Sequence, residues 1–148
     1  MPVPLYLLDT NILIHYVRGD ELWEAIRADY QLLLIEPKPI ISIVNAAELR
    51  SLALQFQWGP AKLDKMEFLL GYLDEMFIDS REMVDAYSTI DAHLSKVGHK
   101  IGKNDLWIAA TAYLNDATLL TTDRDFDPLD PLFLKREWIP PTGEFAAD

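Results

Sequence analysis

Short apolar runs that stop at a polar residue recur along this chain and limit the folds it can adopt. Leu5–Leu8 are four consecutive apolar residues that end at Asp9, which predicts a buried strand ending there. Pro39–Ile43 and Thr118–Thr121 are two further strand-like runs. Because these runs alternate with helical segments, the sequence predicts an α/β domain with a mainly parallel central sheet.

Apolar residues at helical spacing fill the intervals between the runs. The sequence predicts helices from Ile12 to Gly19, over Val44–Phe56 and Lys62–Glu75, from a cap at Asp79 or Ser80 to about Val97, and over Asn104–Leu114. Met76–Ile78 and Leu132–Leu134 are weaker strand candidates, and Tyr30–Glu36 fits either a strand or a helix end. We expect one folded domain over residues 1–138 and a flexible tail over residues 139–148.

The composition excludes several classes of protein. A chain of 148 residues, half of them hydrophobic, can bury the core of one globular domain. It contains no cysteine, which excludes disulfides, thiolate metal sites and a cysteine nucleophile. The apolar runs are too short to span a bilayer, and no basic segment introduces a signal peptide. We therefore expect a cytoplasmic protein that does not bind membranes.

The net charge of −11, from 13 basic and 24 acidic residues, opposes binding to a polyanion. If this chain handles nucleic acid, either bound cations attract it or a basic patch is concentrated locally. A basic protein partner is the third possibility that the charge leaves open.

Four acidic residues stand where the predicted elements begin or end: Asp9, Glu48, Asp105 and Asp123. Each has a local explanation, because Asp caps helices and turns and a carboxylate suits the first turn of a helix. Glu48 also follows Asn45 at the spacing of a capping box. Ligands bind at the carboxyl ends of parallel strands, however, and Asp9 and Asp123 each follow a predicted strand directly.

Carboxylates that meet at one sheet edge repel one another and raise one another's pKa. A hard divalent cation removes that repulsion, and a set of oxygen ligands favours Mg²⁺ or Mn²⁺ over Zn²⁺. Four carboxylates balance the charge of two such ions, which together can activate water and stabilise the leaving oxygen in phosphodiester hydrolysis. The acids therefore indicate hydrolysis by a two-metal-ion mechanism.

Four segments of the sequence resemble, in order, the motifs of PIN domains: Leu8–Leu13, Ile41–Leu49, Ile101–Ala112 and Leu120–Phe126. The resemblance implies a three-layer α/β/α fold and a metal-dependent endoribonuclease. The compact size is similar to that of VapC-like toxins of toxin–antitoxin pairs. Such toxins are usually homodimers, held inactive by a small antitoxin that inserts a segment near the active site.

The resemblance also implies roles for individual residues. The metal ligands, which are the catalytic residues, would be Asp9, Glu48, Asp105 and Asp123, with either Asp125 or Asp127 as a possible addition. The polar residues that support them would be Thr10, Asn11, Ser42 and Thr121.

Three basic residues near the third and fourth motifs are candidates for binding the RNA substrate. Lys100 and Lys103 belong to a basic cluster with Lys96 and His99, for which a solvated loop is an equally good explanation. Arg124 either contacts a phosphate or pairs with Asp125. Elsewhere, Trp107 fits a core position better than a base-stacking one, and His15 fits a packed or capping position.

The leading hypothesis is an Mg²⁺- or Mn²⁺-dependent ribonuclease. A phosphatase with an aspartyl-phosphate intermediate is disfavoured because Asn11 stands where that mechanism needs a proton-transferring acid. Two alternatives remain open. The chain could be a structure-specific DNA nuclease, or a catalytically silent PIN-fold binding module that docks a basic partner.

Overall fold

The computed structural model describes residues 3–141 and contains one five-stranded sheet. The strands are β1 (Tyr6–Leu8), β2 (Ile40–Ser42), β3 (Asp74–Met76), β4 (Thr118–Thr121) and β5 (Lys135–Trp138). Their order across the sheet is β3-β2-β1-β4-β5, and every neighbouring pair is parallel. Of the predicted tail over residues 139–148, residues 142–148 lie outside the described part.

The helices that connect the strands are α1 (Thr10–Arg18), α2 (Glu21–Tyr30), α3 (Ile43–Gln55), α4 (Pro60–Tyr72), α5 (Arg81–Lys96) and α6 (Lys103–Leu114). The first four pack on one face of the sheet, and α5 and α6 pack on the other. The predicted α/β/α fold with a mainly parallel sheet is confirmed. Across residues 3–141, no helix is long and apolar enough to cross a membrane.

Alternation of side chains along the central strands builds one core on each face of the sheet. Leu8 and Leu120 point into the core beneath α1–α4, whereas Leu7 and Leu119 point into the core beneath α5 and α6. All four are at most 2% exposed, and burial of one such side chain contributes about 1.5–3 kcal/mol. Strands of only three or four residues suffice because both of their faces are covered.

Helix α2 was not predicted from the sequence. Asp20 caps it by accepting a hydrogen bond from the backbone N–H of Trp23 at 3.0 Å. The side chains of Leu22, Trp23 and Ile26 form the buried face of the helix. Gly19 separates α1 from α2 in a left-handed conformation, with φ at 62°, which glycine adopts without steric cost. The ambiguous segment from Tyr30 onwards is the end of α2 followed by turns, not a strand.

The two edge strands lie elsewhere than predicted. Strand β3 covers Asp74–Met76 instead of Met76–Ile78, and α4 consequently ends at Tyr72. The last strand covers Lys135–Trp138 instead of Leu132–Leu134. Edge strands are exposed along one side and accept charged residues, so continuous apolar residues do not mark their positions.

The strand order reverses direction at β1, because β2 and β3 lie on one side of it and β4 and β5 on the other. In open parallel sheets, ligands bind at such a switch point, beyond the carboxyl ends of the strands. The backbone N–H of Asp9 donates to the carbonyl oxygen of Leu120 at 3.0 Å and extends the β1–β4 pairing by one residue. Asp9 therefore stands at the switch point.

Candidate metal centre

Asp9 is buried at the end of β1, with 5% of its surface exposed. It is the N-cap of α1, and its Oδ1 accepts a hydrogen bond from the backbone N–H of Thr10 at 2.9 Å. Burial raises the pKa of Asp9 to about 6, although hydrogen bonds from Thr121 and Thr10 oppose the rise and the charges of Glu48 and Asp123 add to it. The cap uses Oδ1, whereas Oδ2 accepts hydrogen bonds from polar side chains at the sheet edge.

Thr121 joins the first and fourth motifs at the end of β4. Its hydroxyl donates to Oδ2 of Asp9 at 2.7 Å and accepts from the backbone N–H of Asp123 at 3.0 Å. Asn11 provides a second connection between these motifs. Its amide donates to Oδ2 of Asp9 at 3.3 Å and accepts from the backbone N–H of Thr122 at 3.2 Å. Thr121 and Asn11 thus hold the Asp9 carboxylate against the turn that carries Asp123.

Glu48 projects from α3 and is held by residues from two other helices. The hydroxyl of Thr10 donates to its Oε1 at 2.6 Å, and the amide of Asn104 donates to its Oε2 at 3.3 Å. The amide of Asn45 in turn donates to the Thr10 hydroxyl oxygen at 3.0 Å. This chain of hydrogen bonds orients the Glu48 carboxylate.

Asn45 and Asn104 were not predicted as site residues. Asn45 is fully buried and completes a capping box with Ser42, not with Glu48 as the spacing had suggested. Ser42 caps α3 through its side chain and is linked to Thr10 through Asn45. The signal in the sequence was the three-residue spacing from Ser42 to Asn45, which is that of a capping box.

Asp105 lies in the first turn of α6 and is about half buried. Its pKa is raised to about 7, mainly by burial and then by the charges of Asp9, Asp123, Glu48 and Asp125. These influences show that all four predicted acids, together with Asp125, share one electrostatic environment at the carboxyl edge of the sheet. Such mutual repulsion among carboxylates is the situation that a bound cation relieves.

Asp123 and Asp125 lie in the turn after β4. Oδ1 of Asp123 accepts the backbone N–H of Asp125 at 2.9 Å, which fixes the turn. One carboxylate oxygen from each of Asp105, Asp123 and Asp125 lies within 4.8 Å of the other two. Asp125, whose participation the sequence left open, therefore stands with Asp105 and Asp123 in a group that has the dimensions of a metal site.

A family model described as the PIN domain matches residues 6–130. This chain belongs to the PIN domain family. It is 30% identical over 139 residues to Ribonuclease VapC2 of Rickettsia felis, across 88% of this chain and 96% of that protein. The resemblance drawn from the four motifs is thereby confirmed.

Solved structures agree with this assignment. VapBC-1 from nontypeable Haemophilus influenzae superposes with a TM-score of 0.73 and 26% identity, covering 90% of this chain and 97% of that chain. VapBC-5 from Mycobacterium tuberculosis, a member of the VapBC family of toxin–antitoxin systems, superposes with a TM-score of 0.65 and 26% identity, covering 91% and 98%.

The three basic residues that the sequence proposed for RNA binding lie in two separate places of this PIN domain. Lys100 and Lys103 line, with His99, a pocket of about 250 Å³ between α5 and α6. The charge of Asp123 raises the pKa of Asp125 while His99 acts in the opposite direction, so His99 lies near the acids. Arg124 lies on the β5 side, where its Nη1 is 3.8 Å from Oδ2 of Asp127, and does not form the suggested pair with Asp125.

Two of the remaining residues have structural roles. Asp127, the other possible metal ligand, pairs with Arg136 at 2.9 Å and lies outside the group formed by Asp105, Asp123 and Asp125. Trp107 packs against the core of α5 and α6, with its ring centre 4.1 Å from that of Tyr87.

Proposed function

We propose that this PIN domain is a metal-dependent endoribonuclease and the toxin of a toxin–antitoxin pair. The observation that carries the proposal is the convergence of acids from four separate motifs at the switch point of the sheet, where burial and mutual repulsion raise the pKa of Asp9 and Asp105. Carboxylates clustered in this way destabilise the folded protein unless a ligand binds them, which marks this edge as a functional site. Relatives of this chain are named ribonucleases, which supports RNA cleavage as the reaction.

The donor set fits Mg²⁺ or Mn²⁺, because the candidate ligands Asp9, Glu48, Asp105 and Asp123 all offer carboxylate oxygens. Those of Asp105 and Asp123 group with Asp125, while Asp9 and Glu48 act on Asp105 through their charges. When bound, two such ions would supply an activated water and charge stabilisation for in-line hydrolysis of a phosphodiester bond.

The chain's own groups prepare this centre. Thr121 and Asn11 orient Asp9, and Thr10 and Asn104 orient Glu48, so the carboxylates are held in place before a ligand arrives. Asp9 and Asp105 must be ionised to bind a cation, and their raised pKa values mean that binding releases protons near neutral pH. We therefore expect activity to rise between about pH 6 and pH 8.

Purified protein incubated with single-stranded RNA should cleave it in Mg²⁺ or Mn²⁺ and not in EDTA. The reaction should leave matched single-stranded and structured DNA intact. Cleavage that persists in EDTA would exclude the metal-dependent mechanism, and cleavage of structured DNA alone would favour the DNA nuclease. A protein that binds Mn²⁺ but cleaves neither substrate would favour the silent binding module.

The proposal includes a cytoplasmic location, a homodimer and a cognate antitoxin. A groove of about 450 Å³ supports the antitoxin: it starts at Thr10, Glu48 and Asn104 and continues along α3 past Leu52. At the end of α3, Phe56 is 68% exposed and offers apolar surface to a partner. The solved VapBC toxin–antitoxin structures that this chain resembles support the same partner class.

Replacement of both Lys100 and Lys103 by Ala should weaken binding of a non-cleavable RNA without slowing the chemical step at saturating RNA. Phosphate contacts position a nucleic acid, so the slope of affinity against salt should shrink by about one unit for each phosphate that is no longer bound. The control is the double variant Lys38→Ala/Lys135→Ala, which removes equal charge at the amino edge of the sheet. An unchanged salt slope in the Lys100/Lys103 variant would leave the metals as the main source of attraction.

A further inference from the structure

Arg124 stands between two acids of the metal centre in the sequence, yet its guanidinium group pairs with neither. Its Cζ lies 3.8 Å from the centre of the Trp138 ring. Among residues 3–141, its ion-pair partner is Asp127, with a separation of 3.8 Å between Nη1 and Oδ2. An unrestrained arginine beside Asp123 and Asp125 would be drawn onto those carboxylates, so the stack keeps this cation off the metal ligands.

The groups that hold Arg124 are themselves fixed. Trp138 is the last residue of β5, and its Nε1 donates to the carbonyl oxygen of Thr122 at 3.0 Å. The N–H of Thr122 donates to Asn11, which also contacts Asp9. The Trp138 ring is therefore tied by consecutive hydrogen bonds to the strand ends that carry the metal centre.

Asp127 is fixed on its other side. Arg136 of β5 pairs with Oδ1 of Asp127 at 2.9 Å, which leaves Oδ2 facing Arg124. The Arg124 side chain nevertheless remains 64% exposed. A guanidinium packed against a ring and exposed to this extent still offers N–H donors to solvent, and such donors bind the two oxygens of a phosphate.

We propose that Arg124 binds a backbone phosphate of the RNA on the β5 side of the metal centre, and that Trp138 is the residue that positions it there. Lys100 and Lys103 line a separate pocket between α5 and α6 and offer the RNA a second basic contact. This inference rests on the proposed ribonuclease function. It adds a phosphate contact beside β5 and assigns Trp138 a role that depends on Arg124.

The test is a double-mutant cycle on binding of a non-cleavable RNA in Mn²⁺ across a salt series. Arg124→Ala should lower the affinity about tenfold and reduce the salt slope by about one unit. Trp138→Leu should cause a similar loss, whereas Trp138→Phe, which keeps an aromatic face but loses the Nε1 donor, should cause a smaller one. The double variant Arg124→Ala/Trp138→Leu should bind no more weakly than Arg124→Ala alone.

Cleavage measurements separate positioning from a general structural role. For Arg124→Ala, KM should rise with little change in kcat, and Arg124→Lys should recover part of the affinity. Lys135→Ala, at the other end of the same strand, is the control and should behave as wild type.

Each failure has a distinct signature. RNA affinity unchanged in Arg124→Ala would overturn the phosphate contact. Losses from Arg124→Ala and Trp138→Leu that add fully would overturn the positioning role of Trp138. If Trp138→Leu does not fold, losses from Arg124→Ala and Trp138→Phe that add fully would do the same. Wild-type protein that neither binds nor cleaves RNA in Mn²⁺ would instead reject the proposed function.

Discussion

Asp9→Asn, Glu48→Gln and Asp105→Asn should each reduce Mn²⁺-dependent RNA cleavage by more than about a hundredfold. Loss of a partner that merely orients a metal ligand typically costs 10–100-fold, and removal of a ligand charge should cost at least as much. The asparagine and glutamine side chains of these variants are nearly isosteric with the aspartate and glutamate side chains that they replace. The hydrogen bonds that Asp9 and Glu48 accept from Thr10, Thr121 and Asn104 involve oxygen atoms that the amides partly retain.

The matched control is Asp116→Asn, which removes the same charge from an exposed residue before β4, at the opposite edge of the sheet. It should cleave RNA like the wild type. Circular dichroism and a cooperative melting transition should show that all four variants are folded. Activity within a few-fold of wild type in any two of the three site variants would reject the proposed ligand set.

Asp125 permits a finer comparison within the same site. It is exposed, and its carboxylate lies with those of Asp105 and Asp123. Asp105, by contrast, is half buried in the first turn of α6, so the carboxylate of Asp125 is the less restrained of the two. A ligand that is less restrained contributes less to a preorganised centre, which predicts a smaller loss of activity for Asp125→Asn than for Asp105→Asn.

The parts of the fold that the sequence predicted are those where burial dictates residue type. Strand β4 was located to the residue, because a central strand covered on both faces is a continuous uncharged run bounded by polar residues. The edge strands β3 and β5 contain charged residues such as Asp74, Glu75 and Glu137, and for them apolar patterning carries no signal. Helix α2 was missed although Asp20 marks its start as a cap.

The candidate site likewise contains residues that the sequence predicted and residues that it did not. The acids could be predicted because they follow buried strands or open helices, so topology alone brings them to one edge. The residues that orient them could not, since the contact of Asn45 with Thr10 joins residues 35 positions apart and that of Asn104 with Glu48 joins residues 56 positions apart. The Arg124–Trp138 stack depended on the position of β5, which apolar patterning placed three residues too early.

Without metal, Asp9 and Asp105 should make the folded protein less stable as the pH rises from about 4 to about 7. The folded-state pKa values of Asp9 and Asp105 are raised from 3.8 to about 6 and about 7. In that interval the unfolded chain has released protons that the folded protein still holds, so the slope of unfolding free energy against pH is negative for these groups. Their stabilising contribution is complete below pH 3.8 and is lost as the pH passes through 6 and 7.

Asp105→Asn should therefore stabilise the metal-free protein at pH 8 while it abolishes activity. The half-exposed position of Asp105 limits the gain to about 1 kcal/mol, or roughly 3 °C in melting temperature. The difference between the variant and wild type should vanish at pH 4, where both carry an uncharged side chain. A metal-free variant that melts below wild type at pH 8 would show that Asp105 is not strained by its neighbours.

Mn²⁺ or Mg²⁺ should reverse this order, because cation binding stabilises only the folded state of the protein that retains the full set of ligands. At a concentration about a hundredfold above Kd, the wild type should gain about 2.7 kcal/mol, whereas Asp105→Asn should gain much less. Zn²⁺ at the same low concentration should have little effect, because the ligands are all oxygens. If millimolar Mn²⁺ and Mg²⁺ leave the wild-type melting temperature unchanged, the acids are not a metal centre and the silent binding module becomes the better explanation.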